Sequence, residues 1–366
     1  MHPQMCVLFS GCQRAPQAAP TSEIVPDKPV NWNCQMTDSP YNSVNDLRLQ
    51  ELLQWALQLP VDYHKVSTLS TDAGTRRYFR LHNRHSTVLA VDAAPEFEDT
   101  AAFVDIAKRI DASGVRVPQI YHYNLEKGFL VIEDLGDCHV QQQSTYHKAT
   151  QGALYRQAIH DLITIQQTAN TTDLPHFNAA FIHHELAIFE DWFLQKHLQI
   201  TLNLVLRRQL DRLFELIIEN CSAQPQAFMH RDYHCRNLMV IKHQQLAVID
   251  FQGAMLGPVT YDPGSLLKDA YIDIEPALQA ALCNTHRQSL ACHADESQYR
   301  RWYDLTAMQR HLKILGIFCR LNYRDHKPAY MKHLQTVSHH LLHTAGIHDD
   351  LRQFQPLLNQ LLAGRP

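Results

Sequence analysis

Apolar positions along the chain change their period twice. Leu49, Leu52, Leu53, Ala56 and Leu59 recur at helical spacing, with Ser43 and Asp46 placed ahead of them like a capping box and Pro60 behind. The pattern then shortens. Residues 64–69, 77–81 and 87–92 read as strands, and Asp72-Ala73-Gly74-Thr75 turns the chain between the first two. A helix is predicted over 97–113, with Phe103, Ile106, Ala107 and Ile110 on one face and Gly114 as its stop. Two further strands, 119–123 and 128–132, precede the polar break Glu133-Asp134-Leu135-Gly136. From about 149 onward helical spacing dominates, over 149–168, 183–199, 202–220, 275–290, 296–322, 330–344 and 348–362. One strand pair interrupts it, 238–241 and 246–249, around the turn Lys242-His243-Gln244-Gln245.

This order predicts an α+β protein: a small sheet-rich lobe, then a larger helical lobe with one hairpin inserted. The expected divisions are a disordered tail over 1–40, an N-terminal lobe over 41–135 and a C-terminal lobe over 136–366. The tail is rich in Pro, Gln and Ala and lacks periodicity. With 45% hydrophobic and 19% charged residues, the chain has the makings of a large core without metal or disulfide staples. Lys and Arg number 33 against 37 Asp and Glu, a poor match to a nucleic-acid binder, which needs a basic face. Only 12 glycines disfavour a glycine-dense dinucleotide fold. Nine scattered cysteines without a Cys-x-x-Cys pair fit reduced thiols in a cytosol. No apolar run approaches the roughly 18 residues that span a membrane. Phe9-Ser10-Gly11-Cys12 faintly resembles a lipoprotein cleavage site, but the apolar stretch before it is too short for export. The pairs His183-His184 and His339-His340 would point to different faces of a helix, which argues against a metal site.

Polar residues concentrate around the inserted hairpin. His230-Arg231-Asp232-Tyr233-His234-Cys235-Arg236-Asn237 stands before it and Val248-Ile249-Asp250-Phe251-Gln252-Gly253 after it. Asn237 and Asp250 are 13 residues apart, enough for one strand out and one back. Apolar strands therefore deliver Asp232, Asn237 and Asp250 to one end of the hairpin. Such oxygen donors suit a hard divalent cation and a proton acceptor. The bland alternative is a polar turn beside a surface hairpin.

The pattern H-x-D-x-x-x-x-N, met by His230, Asp232 and Asn237, together with Asp250-Phe251 at a strand end, resembles the catalytic segments of the kinase-like fold. The loop resembles that of the aminoglycoside phosphotransferase superfamily. The stretches 248–262 and 266–269, Thr75-Arg76-Arg77-Tyr78-Phe79-Arg80 and 310–318 resemble its bacterial N-acetylmuramate/N-acetylglucosamine 1-kinase branch. The resemblance covers about 45–362 and implies a two-lobed, protein-kinase-like fold, ATP and Mg²⁺ as cofactors, and a small amino sugar as the partner in cell-wall sugar recycling. It implies no nucleic acid or membrane partner and a cytoplasmic location.

Carried over residue by residue, the resemblance makes Asp232 the base and Asn237 and Asp250 the metal ligands. His230 and Asp262 would support the loop, and the backbone of Glu133 to Leu135 would meet adenine. The turn 72–77, with Arg76 and Arg77, would cover the phosphates. Tyr233, Arg236 and Gln252, with His234 and Tyr261, are substrate candidates by position. One departure stands out. The third strand, 87–92, ends in Asp92 and lacks the lysine that usually grips the phosphates, so either Asp92 turns away or charge comes from elsewhere. Arg76 and Arg77 are the nearest cations and Glu98 the nearest helix glutamate, although the pair reads equally well as a solvated hairpin. Arg310, Lys313 and Arg320 read first as surface charge on a core helix, with a sugar-carboxylate contact as the sharper alternative. Two other functions stay open: a kinase for an aminoglycoside or choline-like alcohol, and a non-catalytic kinase-like binding protein.

Overall fold

The computed structural model describes residues 46–60, 63–69 and 74–362. The expected tail over 1–40, Ser43 and residues 72–73 of the phosphate turn lie outside the described residues. Helix α1 (Leu47–Leu57) is capped by Asp46, whose carboxylate accepts the Leu49 N–H at 3.0 Å. Five antiparallel strands follow: β1 (Lys65–Leu69), β2 (Arg77–His82), β3 (Thr87–Asp92), β4 (Ile120–Asn124) and β5 (Phe129–Glu133), in the order β1-β2-β3-β5-β4. Helix α2 (Thr100–Ala112) joins β3 to β4. It begins after position 97 because Asp99 caps it, accepting from Ala102 N–H, and Phe97 stays exposed.

The two faces of the sheet do different work. Leu52, Leu53 and Ala56 of α1 bury Phe79, Leu81, Ala90 and Phe129 on one face. Phe103, Ile106 and Ile110 of α2 join Val91, Leu130 and Ile132 in the main core on the other. Side chains alternate along a strand, so neighbours in β2 part company. Arg77 lies opposite Asp92 in register, on the α1 face. Arg76 and Tyr78 fall to the other face, which borders the cleft between the lobes.

The helical lobe contains α3 (Val140–Tyr146), α4 (Lys148–Thr168), α5 (Ala179–Ile188), α6 (Leu204–Ser222), α7 (Tyr261–Leu267), α8 (Pro276–Ser289), α9 (Glu296–Tyr323), α10 (Leu334–Ile347) and α11 (Gln355–Leu362). A π-helical stretch over Phe189–His197 prolongs α5. Two strand pairs cross this lobe rather than the single one expected from sequence. Besides β7 (Leu238–Val240) with β8 (Leu246–Val248), strand β6 (Gln226–Met229) pairs with β9 (Met255–Pro258). Segments of four residues, one ending in Gly257-Pro258, are too short to show a period.

Helix α9 runs through the centre of the lobe. Nearly every residue from Trp302 to Gly316 is buried, on all sides of the helix. Its polar side chains therefore need partners. Asp304 pairs with Lys268 at 2.7 Å and accepts from His348 at 2.9 Å, and the His311 ring meets the Lys268 carbonyl at 2.9 Å. Close helix approach is secured at Gly316, where an added Cβ would lie 2.3 Å from the Ile188 carbonyl oxygen. Both neighbours there are backbone, so neither can rotate away. Gly316→Ala should lower stability by about 1–3 kcal/mol, the usual effect of overpacking. A urea titration should show a reduced midpoint with little change of slope.

Candidate active site

Strand β6 delivers the chain to the loop 230–237, and α7 anchors the loop from behind. Asp262, in the first turn of α7, accepts the N–H groups of His230 at 2.7 Å and Arg231 at 3.0 Å. Arg231 is left-handed, with φ +76°, a conformation that a non-glycine residue adopts only where surrounding contacts enforce it. The His230 Nε2 donates to the Ile249 carbonyl at 3.1 Å, leaving Nδ1 to accept from the Asp232 N–H at 3.3 Å. Burial pushes this imidazole down to about 4, so it stays neutral and keeps that tautomer.

The loop presents Asp232 to the cleft. Burial opposes its ionisation, but the charges of Lys313 and Arg310 outweigh burial and hold the carboxyl well below the usual carboxylate range. The Arg310 Nη1 group donates to Asp232 Oδ1, at 3.1 Å, and to the Arg231 carbonyl, at 2.8 Å. The Asn237 amide donates to the Asp232 carbonyl at 2.9 Å and to Asp250 Oδ2 at 3.3 Å. Gln252 donates to Asp250 Oδ1 at 3.0 Å. Asp250 has φ +62°, and burial together with the Asp232 charge pushes its carboxyl upward.

This cluster opens into a cavity of about 560 Å³ between the lobes, within the range that holds small molecules. Leu89, Ile132, Glu133, Leu135 and Phe251 are among the residues that line it, as are His234, Arg236, Tyr271, Phe318 and Tyr330. Arg76 enters from the sheet side, its Nη2 2.8 Å from Glu98 and its guanidinium over the Phe103 ring at 5.0 Å. The donor set fits Mg²⁺. Asp250 and the Asn237 amide offer hard oxygens, and the buried Gln252 Oε1 accepts no hydrogen bond among the described residues. No three His, Cys, Asp or Glu side chains of the described residues form a metal site by themselves. An ion here would need phosphate oxygens and water to complete its shell.

Comparison with known proteins agrees with this geometry. Residues 65–302 match the phosphotransferase enzyme family. A protein of Pseudomonas aeruginosa named N-acetylmuramate/N-acetylglucosamine kinase is 34% identical over 81% of this chain and 88% of its own length. Its namesakes in Pseudomonas putida and Neisseria meningitidis are each 32% identical, over 87% and 80% of this chain and 98% and 89% of their own lengths. The chain belongs to the phosphotransferase enzyme family. Among solved structures, a choline kinase from Streptococcus pneumoniae superposes with a TM-score of 0.56 at 10% identity, covering 80% of this chain and 99% of that one. An ADP-bound aminoglycoside phosphotransferase superposes at 0.53 with 12% identity, over 80% of this chain and 96% of that one. These likenesses support the two-lobed kinase-like fold.

Several positions in this phosphotransferase differ from the expectation. Arg77 is not in the cleft; it pairs with Asp46 and with Asp92 at 2.5 Å on the α1 face, where Arg48 also reaches Asp92 at 2.5 Å. Asp92 thus turns away from the cleft with its charge balanced. Tyr233 is no substrate contact: it is fully buried and donates its hydroxyl to the Ala158 carbonyl at 2.8 Å. Tyr261 is buried likewise, accepting from Lys313 at 2.8 Å. Arg310 and Lys313 are core residues, only 5% and 3% exposed, not surface charge. No sequence signal marks Glu185 on α5, which is buried and accepts from Arg231 at 2.7 Å, Gln309 at 3.0 Å and Lys313 at 3.2 Å. Glu185→Gln would leave the buried Lys313 and the partly buried Arg231 without their counter-charge. It should reduce stability by about 3–5 kcal/mol, read as a lower denaturant midpoint.

Proposed function

We propose that the protein transfers the γ-phosphoryl group of ATP to the anomeric hydroxyl of N-acetylmuramate or N-acetylglucosamine, with Mg²⁺, to give the sugar 1-phosphate. The observation that carries this reading is an ionised Asp232, clamped by Arg310 at the floor of an inter-lobe cleft, in a chain whose relatives are named kinases of N-acetylmuramate and N-acetylglucosamine. Asn237 and Asp250 would hold the ion, which offsets the negative charge of the phosphate oxygens during transfer. Arg76 takes over the phosphate contact of the absent strand lysine, positioned by Glu98. The backbone between Glu133 and Leu135 receives the adenine. His230 and Asp262 keep the loop in shape.

Asp232 orients the sugar hydroxyl by accepting its hydrogen bond. Oxygen then forms a bond to the γ-phosphorus, the bond to ADP breaks, and the proton passes to the carboxylate. A carboxyl held so far below neutrality is a weak proton sink. Two things compensate. An anomeric hydroxyl is more acidic than a simple alcohol, and a loose phosphoryl-transfer transition state asks for little proton transfer until late. The reaction belongs in a cytoplasm, where ATP is found. The six described cysteines are free thiols, and among the described residues no helix is long and apolar enough to cross a membrane.

ADP release should be measured with N-acetylmuramate, N-acetylglucosamine, kanamycin and choline. Turnover is expected with the amino sugars, reduced about 10²–10⁴-fold in Asp232→Asn. Turnover with kanamycin or choline alone would replace the proposed acceptor, and nucleotide binding without turnover on any of the four would point to a binding protein. The pH profile carries a second expectation. Arg310 favours the charged form of Asp232, so Arg310→Met raises that carboxyl toward its ordinary value. Activity requires the carboxylate and is lost as pH falls through its pKa. The acid limb of kcat/KM should therefore move to higher pH in the variant.

A further inference from the structure

Four side chains of the loop 230–237 line the cleft: Asp232, His234, Arg236 and Asn237. Asp232 and Asn237 already have their places, beside the acceptor hydroxyl and the ion. His234 stands between them in the chain and is bonded to both. Its backbone N–H donates to the Asp232 carbonyl at 3.1 Å, and its carbonyl accepts the Asn237 N–H at 2.9 Å.

The hydrogen bonds around the His234 ring fix its tautomer. Nδ1 lies 3.3 Å from the backbone nitrogen of Arg236. That group can only donate, so Nδ1 accepts and the ring proton sits on Nε2. Nε2 in turn lies 3.5 Å from the Asn237 amide nitrogen. Both hydrogens of this amide are spent, one on the Asp232 carbonyl at 2.9 Å and one on Asp250 Oδ2 at 3.3 Å. Swapping the ends of the amide would set its oxygen against these two acceptors, so its orientation is fixed as well. A donor therefore faces a donor. The Nε2–H finds no acceptor among the described residues, although His234 is only 8% exposed. An unanswered buried donor costs free energy, and one at the wall of a cleft points to an oxygen that arrives with a ligand.

The ring is also steadied by packing. It meets Tyr271 edge-on, with centroids 5.4 Å apart and planes at 70°. Tyr271 is tied to the loop through Asp269, which accepts the Tyr271 N–H at 2.9 Å and the Cys235 N–H at 3.0 Å.

The neighbours of His234 identify the oxygen. During transfer the phosphoryl group leaves ADP beside Asn237 and Asp250 and joins the hydroxyl on Asp232, so it passes between these residues. Negative charge is then spread over its three equatorial oxygens. We infer that His234 donates its Nε2–H to a non-bridging oxygen of the phosphoryl group in transit. A donor fixed in place before the charge arrives stabilises it without reorganisation. The proton stays on the imidazole throughout, so His234 acts neither as acid nor as base. The inference rests on the proposed phosphoryl transfer, but not on which acceptor is used.

Two variants separate the ring's two nitrogens. In His234→Asn the side-chain oxygen reaches the place of Nδ1 and keeps the Arg236 N–H, while nothing reaches that of Nε2. In His234→Gln the amide nitrogen reaches the place of Nε2 and restores the donor, while the Nδ1 acceptor is lost. The test measures kcat, the KM of the acceptor and the affinity for MgADP, which has no γ-phosphoryl group, on whichever of the four acceptors the wild type turns over. His234→Asn should lower kcat about 10²–10³-fold, with acceptor KM and MgADP affinity within a few-fold of the wild type. His234→Gln should exceed His234→Asn in kcat by about tenfold or more. An equal loss in the two variants, or a larger loss in His234→Gln, is what a loop-supporting role through Nδ1 would give, and it overturns the assignment. So does a loss confined to acceptor KM, which would give the donor to the acceptor instead, or MgADP binding that weakens in step with kcat. Turnover of kanamycin or choline alone changes the acceptor and leaves the comparison of variants to decide on that substrate. A wild type that turns over none of the four removes the kinase reading first and the inference with it.

Discussion

The arrangement of the helical lobe depends on charge balance beneath one loop. Asp232 must face the cleft as an anion, yet the loop that carries it is backed by the lobe's interior. An unpaired buried charge is costly, so each one here is answered by another. Arg310 answers Asp232, and Glu185 answers Arg231 and Lys313 together. Arg310 also grips the Arg231 carbonyl, and Asp262 takes the two N–H groups at the start of the loop. The left-handed turn at Arg231 is thereby held from both sides. Helix α9 supplies Arg310 and Lys313, and α7 supplies Asp262, so the packing of these helices sets the geometry of the loop.

This explains where the sequence could be read and where it could not. Strands, α2 and the loop motif carry local signals: alternation, a cap, a turn, a spacing of polar residues between apolar runs. Asp232, Asn237 and Asp250 follow from such signals. Helix α9 shows its extent in the sequence, over 296–322, but not its facing. A helix buried on every side has no apolar stripe, so its period cannot say which polar residues turn inward. Arg310 and Lys313 look like surface charge on sequence grounds and prove to be core residues. Glu185 is illegible for a related reason: its partners Arg231, Gln309 and Lys313 are all distant in sequence, so no local pattern marks it.

Tyr233 and Arg77 lie away from their expected places for a different reason, the sense of alternation. A residue next to a functional one in a strand points to the opposite face, and in this loop Tyr233 likewise turns away from its neighbour. Tyr233 follows Asp232 and enters the core; Arg77 follows Arg76 and enters the opposite face of the sheet. The pattern shows that neighbours part, but not which of them takes which side. Only the pairing of β2 with β3, which sets Arg77 opposite Asp92, decides it.

That pairing also accounts for the strand without a lysine. Asp92 does not approach the cleft, because Arg48 and Arg77 draw it to the α1 face. The same contacts fasten α1 to the sheet, with Arg77 bridging on to the cap residue Asp46. A cation for the cleft then has to come from elsewhere, and Arg76, just ahead of β2, is the residue of the right parity. Arginine suits this position better than lysine would. Its Nη2 meets Glu98, while its buried Nε makes no hydrogen bond among the described residues. A guanidinium has five donors on a rigid plane and can hold a carboxylate by one edge while offering another to a phosphate; an ammonium is a single point of charge. The lost lysine and the arginine ahead of β2 are thus two consequences of one choice, the use of position 92 to anchor a helix.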